Sequence, residues 1–489
     1  MSAATADRRR WLIAGCVSLG LFASALDTTV NVALPTIAAA FDTDLASLQW
    51  IIIAFVTTGT ALGVSMGSAG DRFGLARLFR WGLLVYAVAM LLLGLAPNLV
   101  VLVGLRVVQG FASAAVLSVG PAIVASAFSA GERGRALGLI GGTQAFGGVA
   151  SGFAGGLLVA SFGWPVIFFA RIPFLVAALL LAFVVLDDNQ PRAIRARIES
   201  RFDLRGALAL AVAIGSLLVG LNLLRASGVG LAPALLLLAV TLVAGAAFVH
   251  VELRAPWPVL DLALFRRRPF AVAFVTMLLN SLGSFVIFFI FPFFVAEVLG
   301  RGAATLGFML GVQGVCGAVA APVAGRVADR VPPQRVVTVA SIAMAVAVIW
   351  MSTLDAASTL VAATVPLALA GVGQGALRAA ARTMVFNSVP QTRFGTASGA
   401  LNLGASMGLV LSVAAFTALF ATRSDSHTAR LLAEGLSEVA AETPAHVAAF
   451  RDTFRVGGLV VVLSVAASLI AWRPGRHRDE GASSVGRAR

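Results

Sequence analysis

Apolar residues along this chain come in runs of about 20, broken by short clusters of arginine, proline and glycine. A run of that length crosses a ~30 Å hydrocarbon core as an α-helix. The clusters bound fourteen such spans. Six fall at 11–38, 48–68, 78–96, 99–121, 135–160 and 165–186, and two at 204–224 and 231–251. Six more follow at 269–296, 303–325, 335–354, 358–380, 396–421 and 454–472. The sequence has no alternating strands of about ten residues, the pattern of an outer-membrane barrel. The expected fold class is therefore an all-α membrane protein. Outside the spans, 187–203 reads as a basic cytoplasmic linker and 422–453 as a mixed-charge outer loop able to lay a short amphipathic helix on the headgroups. The tail, 473–489, has the composition of a disordered segment.

Composition agrees. Only 12% of the 489 residues are charged and the mean hydropathy is +0.95, against about 25% charged residues in soluble domains. The net charge of +14 would suit a nucleic-acid partner, but its distribution argues against one. All 36 cations are arginines, and they lie in short segments beside the spans, where cations meet anionic headgroups and set orientation. With the N-terminus in the cytoplasm, only Arg225, Arg301, Arg423, Arg430, Arg451 and Arg455 fall on the opposite side, and Arg106 and Arg171 inside spans. This asymmetry predicts an even number of spans with both termini cytoplasmic, in a bacterial-type inner (plasma) membrane. Arg8-Arg9-Arg10 before an apolar run imitates a signal peptide, but the run continues past Ala25 and reads as an uncleaved first span. Cys16 and Cys316 each lie within an apolar run and read as packing residues.

An internal repeat divides the chain. Gly70-Asp71-Arg72, between spans 2 and 3, returns as Ala328-Asp329-Arg330 between spans 10 and 11. Gln109-Gly110 in span 4 returns as Gln374-Gly375 in span 12, and Gly134…Gly138 at the head of span 5 as Gly395…Gly399 at the head of span 13. All three pairs are roughly 260 residues apart and in the same order. The chain thus reads as two six-helix bundles, 1–186 and 252–472, with two further transmembrane helices in 204–251. Parallel halves with a substrate site at their interface are a transporter architecture.

Four motifs carry a resemblance to the major facilitator superfamily, and within it to the fourteen-helix drug:proton antiporters. Leu26-Asp27-Thr28-Thr29-Val30-Asn31-Val32-Ala33-Leu34-Pro35 resembles that family's helix-1 signature. Gly67, Gly70, Asp71, Arg72, Gly74 and Arg77 resemble the superfamily's loop between helices 2 and 3, which latches the halves; Asp329 and Arg330 would be its weaker twin. Arg106-Val107-Val108-Gln109-Gly110 resembles the helix-4 motif, and Trp164 through Pro173 the opening of helix 6. There are departures. Leu75 and Ala76 stand where two basic residues are usual, and Ser151-Gly152 replaces a Gly-Pro pair in a helix-5 motif that keeps Gly147, Gly155 and Gly156. Arg171 stands where the family usually has asparagine.

Candidate chemistry centres on Asp27, about 16 residues and roughly 24 Å into the first span. An ionised carboxylate there costs several kcal/mol unless water or a cation compensates, so it is expected to take up a proton. The resemblance makes it the proton-coupling acid. Arg106, which cannot lose its proton, is expected to respond to the charge on Asp27 or to hold it in a permanent structural pair. Arg171 either recognises an anionic substrate group or lipid phosphate, or snorkels to the interface. Arg378 and Arg382 are expected to mark the cytoplasmic end of span 12. The amides Asn31, Gln109, Asn280, Gln313, Gln374 and Asn402, with Arg171, are the candidate lining of a substrate cavity.

The sequence lacks a Gly-x-x-x-x-Gly-Lys phosphate loop, and with no lysine that route to ATP drive is closed within this chain. His250, His427, His446 and His477 are scattered and suggest no metal site. With no cofactor expected, the drive is a proton gradient. One charge across ~100 mV yields about 2.3 kcal/mol and a pH unit about 1.4, enough for a solute gradient on the order of a hundredfold. The expected protein is a monomeric, proton-coupled exporter of hydrophobic or amphipathic small molecules, with the bilayer, protons and that solute as partners and no nucleic acid. A lipid or glycolipid transporter of the same fold and a non-transporting sensor are the alternatives.

Overall fold

The computed structural model describes residues 3–43, 45–187, 203–223, 231–255, 258–301 and 303–470. Most of the linker 187–203 and all of the tail 473–489 lie outside these. Among the described residues there is no strand. Helix α1 runs as Ala3–Ala25, passes through a 3₁₀ turn, Leu26–Thr28, and continues as Thr29–Phe41. It is followed by α2 (Leu45–Phe73), α3 (Leu75–Gly94), α4 (Leu99–Ala127), α5 (Arg133–Phe162) and α6, which comprises Val166–Phe169 and Ile172–Val185. Then come α7 (Leu204–Leu223) and α8 (Leu231–Arg254). Helix α9 runs as Arg268–Ser284 and continues through Val286–Phe289 and Phe291–Phe293 into a π-helical turn, Phe294–Val298. The last five are α10 (Ala303–Arg330), α11 (Pro333–Met351), α12 (Leu360–Ser388), α13 (Phe394–Ala433) and α14 (Glu438–Ile470).

Among the described residues, twelve of these helices, α2–α4 and α6–α14, are long and apolar enough by length and composition to cross a membrane. Fourteen were expected from the apolar runs, and α1 and α5 stand outside the twelve. Helix α1 is interrupted by the 3₁₀ turn at Asp27, and part of α5 lies outside the described side chains on which the twelve rest.

Three boundaries differ from expectation, and each matters. Span 4 continues through Pro121 to Ala127. Proline has no N–H for the carbonyl four residues back, and Asn402 Nδ2 of α13 donates to that carbonyl, Leu117 O, at 2.9 Å. Span 12 continues to Ser388, so Arg378 and Arg382 lie within α12 and not at its end. The expected outer loop 422–453 is instead a helical hairpin formed by the extensions of α13 and α14. No helix breaker intervenes before Gly435, whose φ of 94° suits the left-handed cap that ends α13. Asp452 of α14 then pairs with His427 of α13 at 3.1 Å.

Packing joins the two repeats along two helix pairs, α2 with α13 and α5 with α10, while α7 packs against α2 and α8. Both pairs are built on glycine. A Cβ on Gly67 would collide with the Gly395 carbonyl, and Cβ atoms on Gly134 and Gly325 would each collide with the other's carbonyl. One turn or so further in, a Cβ on Gly138 would lie 2.6 Å from Ala321 O, and one on Gly399 2.6 Å from Gly63 O. Side chains are excluded there, so the backbones meet directly.

Candidate functional site

The 3₁₀ turn in α1 presents Asp27 to α4 and α6. Thr28, Thr29 and Val30 are β-branched and poor helix formers, and Thr29 Oγ1 donates to Leu26 O at 2.8 Å, a local bond that competes with the helix. Arg106 clamps the carboxylate with both terminal nitrogens, Nη1 to Oδ1 at 2.8 Å and Nη2 to Oδ2 at 2.9 Å. Arg171 Nη1 donates to Oδ1 at 2.6 Å and Gln109 Nε2 to the same oxygen at 2.8 Å. Arg106 is further held by Nε to Ile51 O at 2.9 Å and lies over the Phe55 ring at 4.4 Å. Arg171 Nη2 reaches Thr29 Oγ1 at 2.9 Å. Both guanidiniums are 1% exposed and Asp27 is 14% exposed. Glycines of α5 hold the turn in place: Cβ atoms on Gly147 and Gly155 would lie 2.8 Å from Ala25 and Thr29 side chains.

This arrangement corrects two expectations. Arg171 neither snorkels nor faces lipid; it is buried against Asp27. Asp27 is not an uncompensated acid either. Two guanidiniums and an amide replace the water it loses, the condition under which a buried carboxylate stays ionised. The centre carries one negative and two positive charges, so protonating Asp27 would leave two cations facing each other. Proton uptake there would require α4 or α6 to move its arginine away.

The second constellation closes the arginine-rich end of the bundle. Asp71, at the end of α2, accepts from Gly395 N and Thr396 N at 2.7 Å each and from Thr396 Oγ1 at 2.8 Å. Asp329, at the end of α10, accepts from Gly134 N at 2.6 Å and Arg135 N at 2.8 Å. Each aspartate thus caps the first turn of a helix in the other half, satisfying N–H groups that have no partner within that helix. Gly74 supplies the φ of 104° that turns the chain from α2 into α3. Arg72 instead lies over the Phe73 ring and Arg77 is exposed. Among the described residues neither of them, nor Arg330, bonds across the halves. A further strap escaped sequence reading: Arg133 Nη1 donates to Phe386 O at 3.3 Å and Asn387 Oδ1 at 3.2 Å. Replacing Asp71 or Asp329 by alanine is expected to weaken the shut form by about 1–2 kcal/mol, roughly tenfold in the open-to-shut ratio. Spin-label distances across that end measure the shift, with the larger effect expected from Asp71, which accepts three bonds to Asp329's two.

The Major Facilitator Superfamily profile matches residues 16–413 and 273–483. The chain belongs to the Major Facilitator Superfamily. It is 26% identical over 415 residues to the riboflavin transporter RibZ of Clostridioides difficile, covering 85% of this chain and 89% of that one. It is 30% identical over 472 residues to the tetracenomycin C resistance and export protein of Streptomyces glaucescens, covering 96% and 85%. The fold matches the solved proton:xylose symporter XylE with a TM-score of 0.63 at 15% identity, over 95% and 96% of the chains. The protein is a multi-pass membrane transporter, and its resemblance to the superfamily's drug:proton antiporters stands.

The transporter's remaining candidates divide. Gln109 belongs to the Asp27 centre, and Asn402 serves the proline-freed carbonyl of α4. Asn280 Nδ2 and Gln313 Oε1 are buried without a partner among the described residues, and Gln374 is half-buried. The side chain of Asn31 and the surroundings of Gly152 and Gly156 lie outside what is described. Tyr86 and Thr29 join the Asp27 centre unforeseen, Tyr86 Oη lying 3.4 Å from Gln109 Nε2. The signal was present: Tyr86 is the one tyrosine in the chain and sits in an apolar span. Gln144 of α5 also went unread, and it meets Arg382 across the halves at 3.2 Å.

Proposed function

We propose that this transporter is a proton-coupled exporter of hydrophobic or amphipathic small molecules that works by alternating access. The observation that carries the reading is Asp27 set in a break of α1 and tied to α4 by Arg106 and to α6 by Arg171. Such a centre couples charge to shape. While Asp27 is ionised it pulls three helices together; once protonated it releases them, because two cations without their anion repel. The straps from Asp71 and Asp329 give the same cycle its second element, a gate that closes one end of the bundle. A relative named for tetracenomycin C export and one named for riboflavin transport support a small organic solute.

The reading includes fourteen crossings, with α1 and α5 traversing the membrane sheltered by their neighbours. The bundles are 1–186 and 252–472, α7 and α8 are inserted between them, and both termini are cytoplasmic in a bacterial inner membrane. The shut, arginine-rich end is then the cytoplasmic gate. A monomer suffices, since Asp27, its arginines and both straps come from one chain.

The test uses purified native protein in proteoliposomes. A fluorescent amphipathic solute is expected to move against its gradient when a pH difference is imposed, with protons moving the other way, and to stop when an ionophore collapses the difference. Flux indifferent to the pH difference would remove the proton-coupled reading.

A further inference from the structure

The charge inventory of the interior does not balance. Within the helices, Asp27 is satisfied by Arg106, Arg171 and Gln109. Arg378 and Arg382 lie one turn apart on α12, and among the described residues no carboxylate pairs with either. They lie about 15 Å and 9 Å from the Ser388 end of their helix. Arg382 is buried and donates from Nη1 to Gln144 Oε1 of α5 at 3.2 Å. That bond shows which way the face points: across the boundary between the halves. Arg378 is on the same face, one turn further from the shut end, and it is exposed. On the opposing helix, Gly148 stands one turn from Gln144 in the same direction. It is exposed too, and a Cβ there would meet nothing within 4 Å. Space therefore opens between α5 and α12 at the level of Arg378, floored by the Arg382–Gln144 bond.

Two cations spaced i, i+4 without an anion repel each other and give up hydration. Arg382 has Arg378 as its charged neighbour. A proteinaceous counter-ion would have relieved this, but among the described residues no carboxylate forms an ion pair with either arginine. The pair keeps free guanidinium N–H groups in a planar arrangement suited to carboxylate oxygens.

We propose that Arg378 and Arg382 form an anion-recognition site in the space between the halves, and that the exported solute is an amphipathic molecule bearing a carboxylate or comparable acidic group. This rests on the export reading for the word "exported", but the site itself does not. The apolar part of the solute would lie against the surrounding helices, and its acid group between the two guanidiniums would turn their repulsion into shared attraction.

Equilibrium binding to the full chain in phosphatidylcholine nanodiscs tests this, with dansyl-glycine as the carboxylate probe and dansyl-glycinamide as its neutral match. Native protein is expected to bind the carboxylate at least tenfold more tightly than the amide. Arg378→Gln and Arg382→Gln are each expected to cut that preference to threefold or less with little change for the amide, and Arg382→Lys to retain part of it. The native comparison needs no variant to fold: equal affinity for the two probes overturns the proposal, as does full preference surviving both glutamine substitutions. Adding phosphatidylglycerol separates the sources of the anion. Unchanged binding keeps the site for a free solute, whereas displacement assigns the guanidiniums to a headgroup phosphate and overturns the proposal. Carboxylate binding by a protein that carries neither probe under a pH gradient counts against the export reading and leaves the site standing.

Discussion

Asp27→Asn is expected to reduce pH-gradient-driven efflux at least a hundredfold and to destabilise the protein as well. Both effects come from the same geometry. The asparagine amide cannot take or give a proton, so the gradient loses its entry point. The amide oxygen also offers one neutral acceptor where a carboxylate served Arg106, Arg171 and Gln109. Leaving buried guanidiniums without their anion costs about 3–5 kcal/mol. Thermal unfolding in detergent, followed by tryptophan fluorescence, measures the second effect. Pairing the change with Arg171→Gln is expected to recover part of the stability and none of the coupling, because it removes a surplus cation but restores no titratable group. A single variant with native melting and native flux would show that the centre is inert.

Gly134→Val acts at the other constellation and is expected to stop transport at least a hundredfold while leaving the chain folded. At this position the α5 and α10 backbones are in contact, Gly134 against Gly325, with Asp329 capping the same turn. A side chain would have to occupy the place of a main-chain carbonyl, which no rotamer relieves. The helices can satisfy it only by separating, so the shut form is lost and the open one persists. Nitroxide labels on Gly131→Cys and Pro332→Cys, both exposed, in a background with Cys16 and Cys316 replaced by serine, report this as a longer distance across that end. Native flux from Gly134→Val would mean that the glycine contact is not a gate.

The two constellations were legible to different degrees. Asp27 and Arg106 stood out because a charge in an apolar run is expensive anywhere in a membrane, whatever surrounds it. Asp71 and Asp329 stood out through the repeat, but sequence reading credited the adjacent arginines equally. The structure shows why only the acids act: what faces them is the N–H end of a helix, and an arginine has nothing to accept with. Arg171 was visible as an oddity with two open meanings, neither of them a bond to Asp27 some 144 residues away. Arg378 and Arg382 were misplaced because a basic pair near a proline and a polar cluster reads as a helix end, while α12 runs on to Ser388.

By itself the sequence determined that the chain is helical and membrane-bound, that it repeats, and where its costly charges lie. Each of these follows from the length, polarity or recurrence of local segments, since lipid tests every span separately for hydrophobicity and for backbone bonding. Which charges meet, which glycines touch, and which end is shut were decided only by the tertiary structure. Those facts depend on the rotation and depth of helices far apart in the chain. A shift of one residue turns a helix face by about 100°, and no local composition records that angle.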